Sequence, residues 1–225
     1  MALLRIENVG VKTTTGLTLV EPISLSLEQG KNITILGETG SGKSLLIQAI
    51  MGALPKELEA SGQIFVENNQ TENTQLESLW GKTLVMLPQE PRRSLDPIMS
   101  IGKQLWESFL FIAKKDKQTA INEGKNVLEH LGLKAWESAY PHQLSGGMAQ
   151  RASFAIATAA GGKILLADEP TKGLDPKSKA NVIELLKQAY QNQGGLLTIT
   201  HDIEVAEQLG GEILVMKKGQ LLEKG

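Results

Sequence analysis

Apolar and polar positions alternate over residues 3–11 and again over 23–27, the spacing of strands with one buried face. Between them Lys12-Thr13-Thr14-Thr15-Gly16 predicts a turn. Asn32-Ile33-Thr34-Ile35-Leu36 predicts a short buried strand. Residues 37–42 then form a glycine-rich loop leaving it, and 43–52 a helix. Residues 62–67 predict another strand, 68–75 a polar surface loop, and 84–87 a buried strand leading into Pro88-Gln89-Glu90-Pro91.

Helical spacing takes over at 101–112, 119–131 and 148–160. Strand character returns at 163–167, 196–200 and 212–216, with a helix over 176–192, and Lys217-Lys218-Gly219-Gln220 predicts a closing hairpin. Strands alternating with helices imply an α/β fold with a mainly parallel sheet covered on both faces. The helical block breaks that alternation. It is expected as a lobe inserted at 92–160 into a core of 1–91 and 161–225, within one 225-residue domain without internal repeats.

Composition narrows the function classes. A net charge of −2 argues against a nucleic-acid binder working by bulk charge. The absence of cysteine excludes disulfides, thiolate-held zinc and iron–sulfur clusters. The start has no basic segment followed by a long apolar stretch. The most apolar region, 154–167, is broken by Gly161, Gly162 and Lys163. The polypeptide is expected to be soluble by itself and to reach a membrane only through a partner.

The chemistry starts in the loop after the third strand. Gly37-Glu38-Thr39-Gly40-Ser41-Gly42-Lys43-Ser44 is a complete G-x-x-x-x-G-K-[ST] phosphate loop, followed by Leu45 in the helix. Gly37, Gly40 and Gly42 let the backbone curl so that N–H groups converge on β- and γ-phosphates, and the helix start adds its positive end. Lys43 supplies a point charge, and the Ser44 hydroxyl can ligate Mg²⁺. Asp168 and Glu169 end an apolar run, which puts carboxylates at the edge of a parallel sheet where ligands bind, with Asp168 suited to hold Mg²⁺ through water. Ser145 can cap the helix beginning near Met148, and with Gly146 and Gly147 it makes a second anion-binding helix start.

Leu144-Ser145-Gly146-Gly147-Met148-Ala149-Gln150-Arg151 resembles the LSGGQ-type signature of ABC ATPases, and Asp168-Glu169-Pro170 and Thr200-His201-Asp202 follow in that family's order. The resemblance covers essentially the whole chain. It implies a P-loop NTPase (RecA-like) core with an N-terminal antiparallel β region and an inserted α-helical lobe. It also implies an ATPase using ATP and Mg²⁺. Glu169 then polarises the attacking water, Gln89 senses Mg²⁺ and that water, and His201 contacts the γ-phosphate; His130 and His142 are read as structural. The signature of one subunit closes on the ATP of another, so Ser145, Gly146 and Gly147 serve a second ABC ATPase subunit in a homo- or heterodimer, with Asp175 coupling the sites.

Two departures stand out. Members usually stack an aromatic on adenine near the position of Thr13, yet no aromatic precedes Phe65, leaving aliphatic groups such as Val11 or Leu19. Lys172-Gly173 replaces the common Ser-Ala, placing a charge near the dimer interface. The segment from Gln89 to Gly102 looks like the peptide/nickel importer subfamily. That likeness implies transmembrane permease subunits, a solute-binding protein, and a cytoplasmic place at the inner face of the cell membrane. The permease would meet Leu95, Ile98, Met99 and Ile101 edged by Arg92 and Arg93. Peptide-type members often extend past the position of Gly225, so a nickel-type or other short member, or a shortened chain, fits as well. A non-transport ABC ATPase, such as a phosphonate-degradation accessory subunit, and a regulatory module without turnover are the other readings.

Overall fold

The computed structural model describes residues 1–191 and 193–224. The N-terminal alternation folds as β1 (Ala2–Thr13) and β2 (Thr18–Glu28), an antiparallel pair longer than the pattern predicted. Register shifts absorb the extra length, one of them beside Gly10, where a Cβ would stand 2.9 Å from the Val20 carbonyl. There follow β3 (Asn32–Leu36), α1 (Lys43–Met51) and β4 (Leu58–Val66), which starts ahead of the expected residue 62. The expected loop over 68–75 instead contains β5 (Asn69–Gln70) and the start of α2 (Asn73–Leu76), before β6 (Leu84–Leu87).

The helical lobe contains α3 (Pro91–Ser94), α4 (Ile101–Glu107), α5 (Lys117–His130) and α6 (Gly146–Thr158). The predicted helix 101–112 relaxes into a π-turn over Ser108–Ile112. Helix α5 starts early because the Asp116 carboxylate accepts the Thr119 N–H at 3.0 Å, and α6 starts early because Ser145 caps it. Leu95, Ile101, Leu105, Phe109, Leu128 and Leu144 pack with the alanines of α6 into an apolar cluster of their own.

After the lobe come β7 (Ile164–Asp168), α7 (Pro176–Gln191), β8 (Gly195–Thr200), α8 (Ile203–Leu209), β9 (Glu212–Lys217) and β10 (Gln220–Lys224). The expected helix end at Asn192 lies outside the described residues. Lys218 and Gly219 both take positive φ, as a tight hairpin requires, so the predicted closing hairpin forms.

Six strands make one sheet in the order β10-β9-β3-β8-β7-β6, parallel except for β10. The other sheet, β2-β1-β4-β5, is antiparallel. Helix α1 buries Leu46, Ile47 and Ile50 completely in the core shared by both sheets, while α7 and α8 pack with Leu165, Ala167 and Leu196 in a second core. Strands β3, β8 and β7 are buried along nearly their whole length on both faces, as central strands of a covered parallel sheet are. Their register is in step: Leu36 stands opposite Thr200, and Ile199 opposite Asp168. The segments leaving β6, β7, β8 and β3 therefore emerge side by side at one sheet edge. Among the described residues no helix is long and apolar enough to cross a membrane.

The lobe's stability rests on its own cluster. Leu105 is fully buried there, so Leu105→Ala is expected to cost about 3 kcal/mol. Chemical denaturation followed by far-UV circular dichroism checks this; a loss below about 1 kcal/mol would show that the lobe does not pack as described.

Candidate active site

The loop from Gly37 to Gly42 is shaped by its surroundings. A Cβ on Gly37 would collide with the Met216 carbonyl, and one on Gly42, at φ 99°, would press on Val20 and Met216. The Gly219 N–H holds the Ser41 carbonyl at 2.9 Å, tying the loop to the β9–β10 turn. Helix α1 has no side-chain cap, so the N–H groups of its first turn face the cleft. Lys43 bends back over the loop: its Nζ donates to the Gly37 carbonyl at 2.6 Å and the Glu38 carbonyl at 2.9 Å. Burial pushes its ammonium below the usual lysine range, and the nearby Glu169 and Asp168 carboxylates oppose that shift.

These groups face a cleft of about 190 Å³ lined by Thr39 to Leu45, Gln89, Glu169 and Lys172. Asp168, the last residue of β7, is 7% exposed, and burial raises its carboxyl above the usual range although the Ser44 hydroxyl donates to it. Its Oδ1 has no hydrogen-bond partner. One hydroxyl, one carboxylate with an unused oxygen, and an open side where phosphates enter are hard oxygen donors of the kind Mg²⁺ takes. Among the described residues no group of three or more acidic, histidine or cysteine side chains is arranged to hold a metal ion by itself.

Glu169 is held from several sides. Its backbone is left-handed at φ 47°, and its N–H donates to the Ile199 carbonyl at 2.9 Å. Its carboxylate accepts from the Thr200 hydroxyl at 3.2 Å and lies 2.8 Å from Nδ1 of His201. His201 is in turn followed by Asp202, which caps α8 and pairs with Lys179 of α7 at 2.6 Å. That pairing lowers the Asp202 carboxyl and raises the Lys179 ammonium. A carboxylate fixed by a hydroxyl and an imidazole beside a phosphate loop can accept a proton from water.

Ser145, Gly146, Gly147 and Asp175 lie apart from this cleft. Ser145 caps α6 by accepting the Met148 N–H at 3.3 Å and lines a separate cleft of about 630 Å³ with His130, Arg151, Lys177 and Ser178. Gly147 closes on α7, where a Cβ would meet the Ser178 hydroxyl at 2.5 Å. Asp175 caps α7, accepting the N–H groups of Lys177 and Ser178 at 3.1 Å. One chain thus brings the phosphate loop, Gln89, Asp168, Glu169 and His201 together at one sheet edge, with the other elements on a different face.

Two expectations change, the base contact and the docking patch. Val11 is buried in the core and unable to meet a base, while Leu19 stays half-buried beside the loop. Thr13 is committed to its turn, accepting the Leu17 N–H at 3.0 Å, and leaves Leu17 64% exposed. Arg92 donates to the Leu144 carbonyl at 2.5 Å within the lobe, and Leu95 and Ile101 are buried; of the expected docking patch, Ile98 and Arg93 stand fully outward. His130 and His142 are exposed and lie outside the phosphate cleft. Lys172, expected to place a charge near the dimer interface, also lines the phosphate cleft of its own chain, where its spacing three residues after Glu169 brings it.

The ABC transporter family pattern matches residues 20–172. The glutathione import ATP-binding protein of Salmonella typhi is 34% identical over 220 residues, which is 92% of this chain and 35% of that protein, so the chain spans about a third of that relative. The dipeptide transport ATP-binding protein of Escherichia coli K12 is 36% identical over 239 aligned positions, covering 100% of this chain and 72% of that protein. The solved structure of cbiO1 from Clostridium perfringens, described as part of the ABC transporter complex cbiONQ, superimposes with a TM-score of 0.86 at 26% identity, covering 100% of this chain and 88% of that one.

Because burial raises the Asp168 carboxyl, its charged form costs the folded state stability at neutral pH, and that cost disappears as pH falls through the raised value. Asp168→Asn is therefore expected to stabilise the nucleotide-free protein by about 1 kcal/mol, a rise in Tm of about 3 °C. The stabilisation that Mg²⁺ with ATP gives the wild type should shrink in the same variant. Thermal melts with and without Mg-ATP test both halves; an unchanged Mg-ATP response would remove Asp168 from the metal site.

Proposed function

This chain belongs to the ABC transporter family as an ATP-binding, ATP-hydrolysing domain, and on that premise we propose that it powers import of a small solute through a separate membrane permease. The named activities of the relatives, glutathione import and dipeptide transport, favour a peptide or a similar small solute over a non-transport role. The observation that carries the catalytic reading is Glu169, fixed by Thr200 and His201 at the mouth of the phosphate loop.

In this reading the loop N–H groups from Gly40 to Leu45 bind the β- and γ-phosphates, and Lys43 leaves its two carbonyl partners to lie between them. Mg²⁺, when bound, neutralises phosphate oxygens and orients them. Ser44 and Asp168 hold it, with Gln89 approaching from the end of β6. Glu169 accepts a proton from the attacking water, and His201 orients Glu169 and the γ-phosphate. Residues 92–160 serve as the inserted lobe, and 1–91 with 161–225 as the core.

Ser145, Gly146 and Gly147 present the start of α6 to the ATP of a second subunit, and Asp175 links that face to α7. A second ABC ATPase subunit is then needed to complete each site, and permease subunits anchor the pair at the inner face of the membrane, supplied by a solute-binding protein.

Glu169→Gln is expected to keep ATP binding while turnover falls by about 10²-fold or more, with bound ATP trapping a dimer in size-exclusion chromatography. Near-normal turnover would sink the role given to Glu169. A second measurement addresses the shared site. Ser145→Arg and Lys43→Ala should each be inactive, and mixing them should restore part of the activity in a homodimer; recovery in a mixture that stays monomeric would refute a site built from two chains.

A further inference from the structure

Lys172 is exposed, lines the phosphate cleft with Lys43 and Glu169, and has no ion-pair partner among the described residues. Its position is fixed by backbone. The Lys172 N–H donates to the Glu169 carbonyl at 3.1 Å, and the adjoining Thr171 is buried and accepts the Leu174 N–H at 3.3 Å. The turn thus holds its base while the long side chain stays free at the cleft.

The charge balance of the cleft gives this lysine a task. Asp168 and Glu169 set two carboxylates where an anion must bind, and Lys43 offsets one of them. Lys172 brings the set to electrical neutrality. Its charge is felt by both catalytic neighbours, since it lowers the Asp168 carboxyl and the Lys43 ammonium. Exposed and on a flexible stem, it can meet the terminal phosphate without the desolvation that Lys43 has already met.

We propose that Lys172 is a second phosphate-facing cation of the nucleotide cleft, acting in its own chain on the γ-phosphate and so favouring the triphosphate over the diphosphate. This rests on the cleft being the ATP site. A terminal phosphate gives Lys172 a partner that the diphosphate lacks, so the lysine adds to ATP affinity and much less to ADP affinity.

The test measures binding of Mg-ATP and Mg-ADP to the purified protein, together with KM, kcat and their dependence on salt, for wild type, Lys172→Ser, Lys172→Arg and Lys43→Ala. Lys172→Ser is expected to weaken ATP by about five-fold, the scale of one exposed charge contact, and ADP by less than about two-fold. KM should rise more than kcat falls, and the salt dependence of ATP binding should become shallower. Lys172→Arg should stay close to wild type. Equal loss for ATP and ADP, or none for either, overturns the assignment to Lys172 provided Lys43→Ala abolishes binding. Undiminished ATP binding in Lys43→Ala would instead overturn the cleft itself as the ATP site.

Discussion

Two adjacent acidic side chains stand beside a site built for an anion, and much of the structure answers that constraint. Asp168 ends a fully buried strand, and Glu169 follows with a left-handed backbone, so neither can be relieved by water alone. Lys43 counters them from below, Thr200 and His201 hold the second carboxylate in place, and one oxygen of Asp168 is left without a partner. Such a set is poorly settled when empty. Phosphate and a hard cation supply what it lacks, which couples occupancy of the cleft to its order.

The sheet makes this possible by register. Leu36, Asp168 and Thr200 end neighbouring strands at nearly one level, so the phosphate loop, the acidic pair and the histidine come out at the same sheet edge though distant in sequence, with His201 2.8 Å from Glu169. Backbone contacts then lock the details: Glu169 N–H to Ile199, Gly37 N–H to Thr200, and Gly219 N–H to Ser41. The closing hairpin therefore belongs to the site's support although it contributes no side chain to the cleft.

The phosphate loop, the buried strands and the α/β class were legible because each leaves a local pattern: glycines at fixed spacing, unbroken apolar runs, caps. Contacts between distant segments were not. Nothing local says that Arg92 spends its guanidinium on the Leu144 carbonyl, or that Thr13 is consumed by a turn. The π-turn at Ser108–Ile112 escaped for another reason, since its apolar spacing also suits an ordinary helix. The motif position of Lys172 suggests an interface charge; the fold of the Glu169–Lys172 turn also sets it at the phosphate-loop cleft of its own chain.

Asp175 and Lys179 occupy the first turn of α7, four residues apart, one as the helix cap and the other clamped to Asp202 directly after His201. A helical turn is stiff and the clamp is short, so the linkage has little slack. One turn of helix and one ion pair are all that separate the cap from the residue after the histidine. The helix that Asp175 caps and the segment that carries His201 are thus parts of one connected piece of structure, reaching from the phosphate cleft to a face that lies apart from it.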